Sequence, residues 1–402
     1  MIKGLGAIVL VSVASGLLIA GTSTRNASSS PPTPLSVGKQ IFFDARLSEP
    51  AGTSCASCHD PAQGYAGNHG SLTGVAQGSR LTSFALRNTP SVRYLKFAQP
   101  FHFHWEEDAV YPDPYGGLFW DGRADTIASA VQQPLLNPNE MGNTDPASVL
   151  KKLDTAPYAQ AFHANYPGTT GNPQVTMSAI GEALEAFLTS PEMSPFTSKY
   201  DDYIRGKATL TPREKLGLEL FKNPVKGNCT SCHTLNDATN DPSRSLFTDY
   251  GFEAAGIPRN PLLEPNQAPT HFDLGLCDRT NNPQVTDPRL CGQFRTPSLR
   301  NVATRHFFMH NGVFTKLRDV VAFYATRDTQ PNRWYPGGVS YDDVPESYRQ
   351  YVNVITPPYN RQLGDTPDLD DDEIDAIVSF LQTLNDAEYR PNDDNVENAR
   401  VR

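Results

Sequence analysis

The chain has 402 residues and a formal net charge of −10, which excludes the basic surface that nucleic-acid binding requires. Hydrophobic residues make up only 38% of it, and 34 Pro and 29 Gly predict long ordered loops between modest helices. The length allows two domains.

The N-terminus has the pattern of an export signal. Lys3 precedes an apolar run from Gly4 to Gly21, and a Ser/Pro-rich spacer continues to Pro34. We expect residues 1–33 to be a signal peptide and spacer and the protein to be periplasmic, with an uncleaved membrane anchor as the alternative.

Two motifs, Cys55–His59 and Cys229–His233, each have two cysteines separated by two residues and followed directly by a histidine. Thiols at this spacing form thioether bonds to the vinyl groups of one haem, and the histidine then binds the haem iron. A redox-active cysteine pair or half of a zinc site are the alternatives, but neither requires the histidine in both motifs. The sequence therefore predicts two haem c groups, attached through Cys55 and Cys58 and through Cys229 and Cys232, with His59 and His233 as iron ligands.

The segments that flank these motifs also recur. Val37–Phe42 precedes the first motif as Leu216–Phe221 precedes the second, and Trp120–Arg123 corresponds to His310–Val313. Such recurrence indicates an internal duplication with one haem in each half. Because no alternating strand pattern is found, we expect a mainly α fold of two tandem c-type cytochrome domains with long ordered loops. The predicted bounds are 34–200 for the first domain, 206–390 for the second and 391–402 for a polar tail.

Helix signals are clear at three places. Apolar residues at helical spacing within Met177–Leu188 predict a helix that closes the first domain, and Ser194–Gly206 is expected to be the connector. Thr211 and Pro212 are the expected N-cap and first residue of the next helix. Asp370–Glu373 place negative charge at the start of the last helix.

Cys277 and Cys291 are the two cysteines outside the haem motifs. In an exported protein we expect a disulfide between them, which closes a loop of about 15 residues and contributes roughly 3 kcal/mol to stability on the chain-entropy model. Two free buried thiols are the alternative.

The residue opposite each motif histidine decides whether the iron is open or closed. Counting twelve residues from the glycine shared by the two halves gives Pro134 in the first and Tyr324 in the second. Proline has no lone pair to offer a metal, whereas a tyrosine phenolate binds ferric iron. We therefore expect an open haem in the first half and a haem closed by Tyr324 in the second. Met309 or His310 are the alternative ligands, with Tyr324 then an ordinary core aromatic.

Glu140 and Trp120 are candidates for chemistry at the open haem. Glu140 follows Pro134 by six residues, where a carboxylate can accept a proton from one peroxide oxygen and return it to the other. Trp120 can carry an electron hole between the haems, because indole is oxidised more easily than any aliphatic side chain. The ordinary alternatives are a surface glutamate and a core aromatic.

From about residue 34 to residue 384, the chain resembles the di-haem bacterial cytochrome c peroxidases and their relative MauG. The resemblance is carried by both haem motifs and by Leu118–Ala124, Asn137–Gly142 and Phe294–Asn301. Tyr324 and Pro134 match the MauG branch, since the peroxidases have a methionine at the position of Tyr324.

The resemblance implies further site residues. A calcium ion is expected between the two domains, bound by the side-chain oxygen of Asn88 and by backbone carbonyls near Arg305 and Phe307. Trp120 is expected between the haems and Glu140 in the distal pocket of the first.

The resemblance also implies a peroxidase-class oxidoreductase that uses H2O2 at the first haem. The second haem would exchange oxidising equivalents with a small donor cytochrome or cupredoxin or, as in MauG, with a side chain of a partner protein. Ala130 stands where the family usually has glutamine, and Gly227 where MauG has a tryptophan that relays towards its protein substrate, so we expect shared chemistry without a shared substrate. A non-enzymatic electron-transfer cytochrome, against which Pro134 argues, and a haem-based sensor are the alternatives. The sequence leaves the oligomeric state open.

Overall fold

The computed structural model describes Met1 and residues 31–390, except for 106, 108 and 280–284. The apolar run of the expected export signal and the polar tail from residue 391 therefore lie outside the described residues. Within the described ranges, no helix is long and apolar enough to cross a membrane.

Short helices joined by long loops make up most of the chain, which confirms the expected mainly α fold. The helices are α1 Pro34–Phe42, α2 Cys55–Cys58, α3 Ile127–Leu136, α4 Pro146–Leu153, α5 Ala159–Asn165, α6 Pro173–Leu188, α7 Lys199–Ile204, α8 Pro212–Lys222, α9 Leu317–Thr326, α10 Pro331–Trp334 and α11 Asp371–Gln382. The strands form two antiparallel pairs, β1 His102–His104 with β2 Asp113–Tyr115 and β3 Phe252–Glu253 with β4 Phe294–Arg295. Short 3-10 helices occur in the loops, including Cys229–Ser231 in the second haem motif.

Helix starts follow the capping signals of the sequence. Thr211 caps α8 in a capping box with Glu214, and Asp370 caps α11 with Glu373, so both expected starts are confirmed. Helix α6 begins before the expected range because Asn172 accepts a hydrogen bond from the backbone N–H of the third helical residue.

In the first half, α6 packs across α1 and α3. Gly38 of α1 lies so close to Ala183 of α6 that a Cβ at residue 38 would be 1.8 Å from the Ala183 carbonyl oxygen. One turn further on, Phe42 packs edge-on against Phe187 with ring centroids 5.3 Å apart. Only glycine permits this crossing of the two helices.

The second half has a crossing of the same kind, in which α11 packs across α8 and α9. A Cβ at Gly217 would be 2.0 Å from the carbonyl oxygen of Ala376, and Phe221 packs against Phe380 with ring centroids 5.3 Å apart. Gly38 and Gly217, which precede the two haem motifs, are thus needed for the close packing of one helix on another.

The predicted connector Ser194–Gly206 is more than a linker, because it contains α7. Tyr200 of α7 is fully buried and packs edge-on against Phe247 and Phe380 in the core of the second half. The predicted connector thus carries a helix that belongs to the core of the second half.

A third, smaller cluster joins the β1–β2 hairpin to the loop around the two remaining cysteines. Phe101 packs there with Leu276 and Val285. Cys277 and Cys291 are joined by a disulfide across a sequence separation of 14.

Candidate active site

Two cavities lie beside the two motif histidines. The first cavity, of about 760 Å³, is lined by Cys58, His59, Trp120, Pro134 and Glu140 among others. The second cavity, of about 200 Å³, is lined among others by Cys229, Cys232, His233, Met309, Tyr324 and again by Trp120. The structure thus brings the candidates of each half to one cavity, with Trp120 in the wall common to both.

Each haem motif folds into one tight helical turn, α-helical in the first and 3-10 in the second. The backbone N–H of His59 donates to Cys55 and that of His233 to Cys229, each at 2.8 Å. The Nδ1 atoms are paired with the carbonyls of Tyr65 at 3.3 Å and Phe247 at 2.9 Å. With Nδ1 held in this way, Nε2 is left for a metal.

The motif side chains are available for a haem, because the cysteines are free and the imidazoles are neutral. Burial lowers the pKa of His59 and of His233 to about 4, so both imidazoles are neutral. Burial also raises the pKa of the four motif thiols to about 12, and all four are free. Neutral thiols and imidazoles of this spacing fit a haem c in each cavity.

Two partly buried arginines supply a second test of that fit. Arg295 lines both cavities and Arg305 lines the second. Burial lowers the pKa of both guanidiniums, that of Arg305 to about 10. They donate to backbone carbonyls, and no residue that the structure describes places a carboxylate within ion-pair distance of either. The anionic propionates of a haem would supply the missing negative charge.

The two residues expected opposite the motif histidines occupy equivalent helix positions in the structure. Pro134 is the eighth residue of α3 and Tyr324 the eighth residue of α9, and each lines the cavity of its own half. Met309 also lines the second cavity, in a left-handed turn with φ 68°. The cavity therefore admits either ligand, and the shared helix position favours Tyr324.

The surroundings of Tyr324 oppose its ionisation. Burial raises the pKa of its phenol, the nearby Cys232 raises it further, and the hydroxyl of Tyr359 acts in the opposite direction. A phenol in such a place stays protonated unless a cation lies opposite it. Ferric iron bound to His233 would be that cation.

Glu140 lies in the first cavity with one hydrogen bond, which the side-chain amide of Asn137 donates to its Oε1 at 2.7 Å. Burial raises the pKa of Glu140, and the charge of Arg123 and the Asn137 hydrogen bond lower it in part. Arg123 in turn donates to Gln133 at 2.9 Å and to Asp121 at 3.1 Å. A carboxyl in this state can both accept and return a proton.

Trp120 is fixed in the wall between the cavities. It is 8% exposed, and its indole N–H donates to the carbonyl of Asn88 at 2.7 Å. Its ring centroid is 6.5 Å from that of His310, which lines the second cavity.

The predicted calcium ligands lie together. The side-chain amide of Asn88 donates to the carbonyls of Phe307 at 3.1 Å and Met309 at 3.0 Å, and the guanidinium of Arg305 donates to the same Phe307 carbonyl at 3.3 Å. Within the described ranges, no group of three or more His, Cys, Asp or Glu could hold a metal. Amide and carbonyl oxygens suit calcium, but the ion would require Asn88 to turn its oxygen inward beside a cation, so calcium stays a prediction.

Sequence reasoning missed the side chains of four residues that line the cavities, namely Arg123, Arg295, Arg305 and Tyr359. Arg305 was expected only near a backbone carbonyl that binds calcium. Arg123 and Arg295 lie inside the motifs Leu118–Ala124 and Phe294–Asn301. A buried arginine without a carboxylate leaves no pattern in sequence, because its burial is decided by distant segments.

The fold and the paired cavities define a mainly helical protein built to hold two c-type haems. The family model described as di-haem cytochrome c peroxidase matches residues 32–209. The methylamine utilization protein MauG of Paracoccus denitrificans is 36% identical over 88% of this chain and 89% of its own length. The cytochrome c551 peroxidase of Pseudomonas aeruginosa is 30% identical over 71% of this chain and 70% of its own.

Among solved structures, the diheme peroxidase BthA of Burkholderia thailandensis matches with a TM-score of 0.85 and 47% identity, over 89% of this chain and 87% of that one. This chain therefore belongs to the di-haem cytochrome c peroxidase and MauG family, whose cofactors are haem c groups. It is an oxidoreductase of the peroxidase class, and the resemblance drawn from its motifs is confirmed.

Proposed function

We propose that this protein reduces H2O2 at the first cavity with electrons that enter through the second. The observation that carries the proposal is the difference between two equivalent helix positions, Pro134 in α3 and Tyr324 in α9. When bound, a haem supplies the iron at which peroxide coordinates and through which electrons pass. Two electrons and two protons convert H2O2 into two waters, and the donor supplies the electrons.

Pro134 itself supplies no ligand to the face expected opposite His59, so peroxide can enter the first cavity without displacing a side chain at this position. Glu140 faces the same cavity and has one carboxylate oxygen free of the Asn137 hydrogen bond. It accepts the proton of one peroxide oxygen and delivers it to the other, which becomes water.

Trp120 lines both cavities, so its indole is the side chain through which an electron would cross between them. Its N–H is bonded to a carbonyl, which cannot take up a proton. Trp120 would therefore pass an electron and keep its proton.

The proposed donor is a small redox protein, a cytochrome or a cupredoxin, that docks near the second haem motif. Gly227 supports this choice over oxidation of a partner protein's side chain as in MauG. A Cβ at residue 227 would lie 2.7 Å from the backbone oxygen of Leu220, so a tryptophan does not fit there without a shift of the backbone.

We further propose that the two halves are duplicated c-type cytochrome domains with one haem each, and that the protein is exported to the periplasm. The matched helix crossings support the first statement. The disulfide and the N-terminal sequence pattern support the second.

The test uses the purified, fully oxidised holoenzyme mixed with H2O2, first alone and then with a reduced small cytochrome c or cupredoxin. We expect a prompt change of the haem spectrum, followed by its reversal as the donor is oxidised. No spectral change would reject peroxide chemistry and favour a sensor or an electron-transfer cytochrome. If no small redox donor reverses the spectral change but a partner protein reverses it, oxidation of a side chain of that partner is favoured.

A further inference from the structure

A second tyrosine shares the second cavity with Tyr324. Tyr359 also lines it, and the two ring centroids are 5.6 Å apart at an interplanar angle of 34°. Tyr359 is 6% exposed, and its hydroxyl forms no regular hydrogen bond in the described part of the chain, although it lies near enough to the Tyr324 hydroxyl to lower the pKa of that phenol. A buried donor without an acceptor is costly, so this hydroxyl calls for a partner.

The backbone around Tyr359 is fixed to the haem-attachment turn. Tyr359 follows Pro357 and Pro358, and its N–H donates to the carbonyl of Thr356 at 2.7 Å. The side-chain amide of Asn228 donates to the carbonyl of Pro357 at 3.1 Å. Since Asn228 immediately precedes the first cysteine of the second motif, Tyr359 is positioned by the element that attaches the haem.

Arg327 holds the ring of Tyr359. Its guanidinium lies 4.0 Å from the ring centroid and donates to the carbonyls of Ala255 at 3.0 Å and Asn353 at 2.6 Å. A cation over the face of an aromatic ring is attracted to it and makes removal of an electron from it harder. Because Arg327 is itself ion-paired with Asp328, its main effect is to hold the Tyr359 ring in place, in a position to donate a hydrogen bond.

We propose that Tyr359 is a positioning residue for Tyr324, whose ligand oxygen accepts a hydrogen bond from the Tyr359 hydroxyl when Tyr324 binds the iron held by His233. This inference rests on the proposed ligation by Tyr324. A hydrogen bond to a charged oxygen is strong, and in a buried cavity little competes with it. It withdraws electron density from the phenolate, so it weakens the donation of that ligand and favours the reduced metal.

The experiment compares ferric holoenzymes by their phenolate-to-iron charge-transfer band and by the reduction potential of the second haem. In Tyr359→Phe we expect the band to move to longer wavelength and the potential to become more negative, with both haems retained. Tyr200→Phe is the matched control, because it also removes a buried hydroxyl that forms no regular hydrogen bond to a described residue, but in the helical core of the second half and away from the cavity. Unchanged band and potential in Tyr359→Phe would overturn the inference.

Further measurements separate this inference from the proposed ligation. If Tyr324→Phe keeps the band, ligation by Tyr324 fails whatever Tyr359 does. If Tyr359→Phe abolishes the band instead of shifting it, Tyr359 is the ligand and its positioning role is refuted. In the wild-type protein, which needs no variant to fold, transfer to D2O should shift the phenolate C–O stretch in the resonance Raman spectrum, and an unshifted stretch would also overturn the inference.

Discussion

At the scale of single residues, the first cavity depends on the balance of effects on Glu140. Burial raises its pKa, while the Arg123 charge and the Asn137 hydrogen bond lower it in part. The carboxyl thus titrates above the ordinary range of a glutamate, which places its two protonation states closer to the pH at which the protein works.

We expect Glu140→Gln to slow the peroxide-induced change of the haem spectrum by about a hundredfold or more, which is the usual contribution of a general acid–base group. An amide of the same shape cannot accept the proton, whereas haem content and resting spectrum should be retained. Stopped-flow mixing with H2O2 measures the rate, and the exposed Glu182→Gln is the control. A wild-type rate in Glu140→Gln would remove this residue from the mechanism.

The pH dependence should follow the same carboxyl. Because Glu140 accepts a proton only when ionised, the rate should fall as pH drops through its raised pKa. Arg123→Met removes the charge that lowers this pKa, so the acid limb of the pH profile should move to higher pH. Arg123→Lys keeps the charge, so its acid limb should stay near the wild-type position. If the pH profile of the rate in Arg123→Met is the same as in the wild type, Glu140 does not set the acid limb.

At the scale of elements, the eighth residue of α3 and the eighth residue of α9 each line a cavity. That residue is Pro134 in α3 and Tyr324 in α9. Pro134→Tyr would place in α3 the side chain that α9 has at Tyr324. We expect it to weaken cyanide binding to the ferric holoenzyme at least tenfold, because a ligand from the protein must first be displaced. Pro134→Ala is the control and should bind cyanide as the wild type does. Equal affinity in both variants would contradict the equivalence of the two positions.

The loop closed by Cys277 and Cys291 is a second element with a testable role. Asp278 in this loop and Asp273, four residues before Cys277, line the first cavity, and Asp273 forms an ion pair with Arg87 at 2.7 Å. Replacing both cysteines by serine should lower the free energy of unfolding by about 3 kcal/mol on the chain-entropy model. Urea unfolding of the double variant beside wild type measures this, and an unchanged midpoint would show that the loop is held by its packing alone.

At the scale of the whole molecule, two haem motifs and an export pattern make a joint prediction about the mature protein. We expect its intact mass to show two covalently added haems and the loss of an N-terminal segment within residues 1–33. Denaturing mass spectrometry of protein expressed with haem c maturation measures both. One added haem, or haem that acidified solvent extracts, would refute the assignment of the two motifs, and an unshortened chain would favour the anchor.

The sequence by itself determined the features that are local. Two cysteines and a histidine within five residues define haem attachment without reference to the fold, and capping residues such as Thr211 and Asp370 fix helix starts through bonds three residues long. The repeat register also placed Pro134 and Tyr324 correctly at one helix position, because helices with the same spacing to a shared glycine present the same face.

Only the tertiary structure decided what distant segments do to one another. It showed that α7, within the predicted connector, contributes to the core of the second half, and that Gly38 and Gly217 are required by helix crossings. It also brought Tyr359 to Tyr324 across 35 positions of the chain, and it left Arg295 and Arg305 partly buried with no carboxylate of a described residue within ion-pair distance. Whether a side chain is buried, and whether an opposite charge lies near it, depends on segments that are distant in the sequence. A local sequence pattern contains no information about those segments.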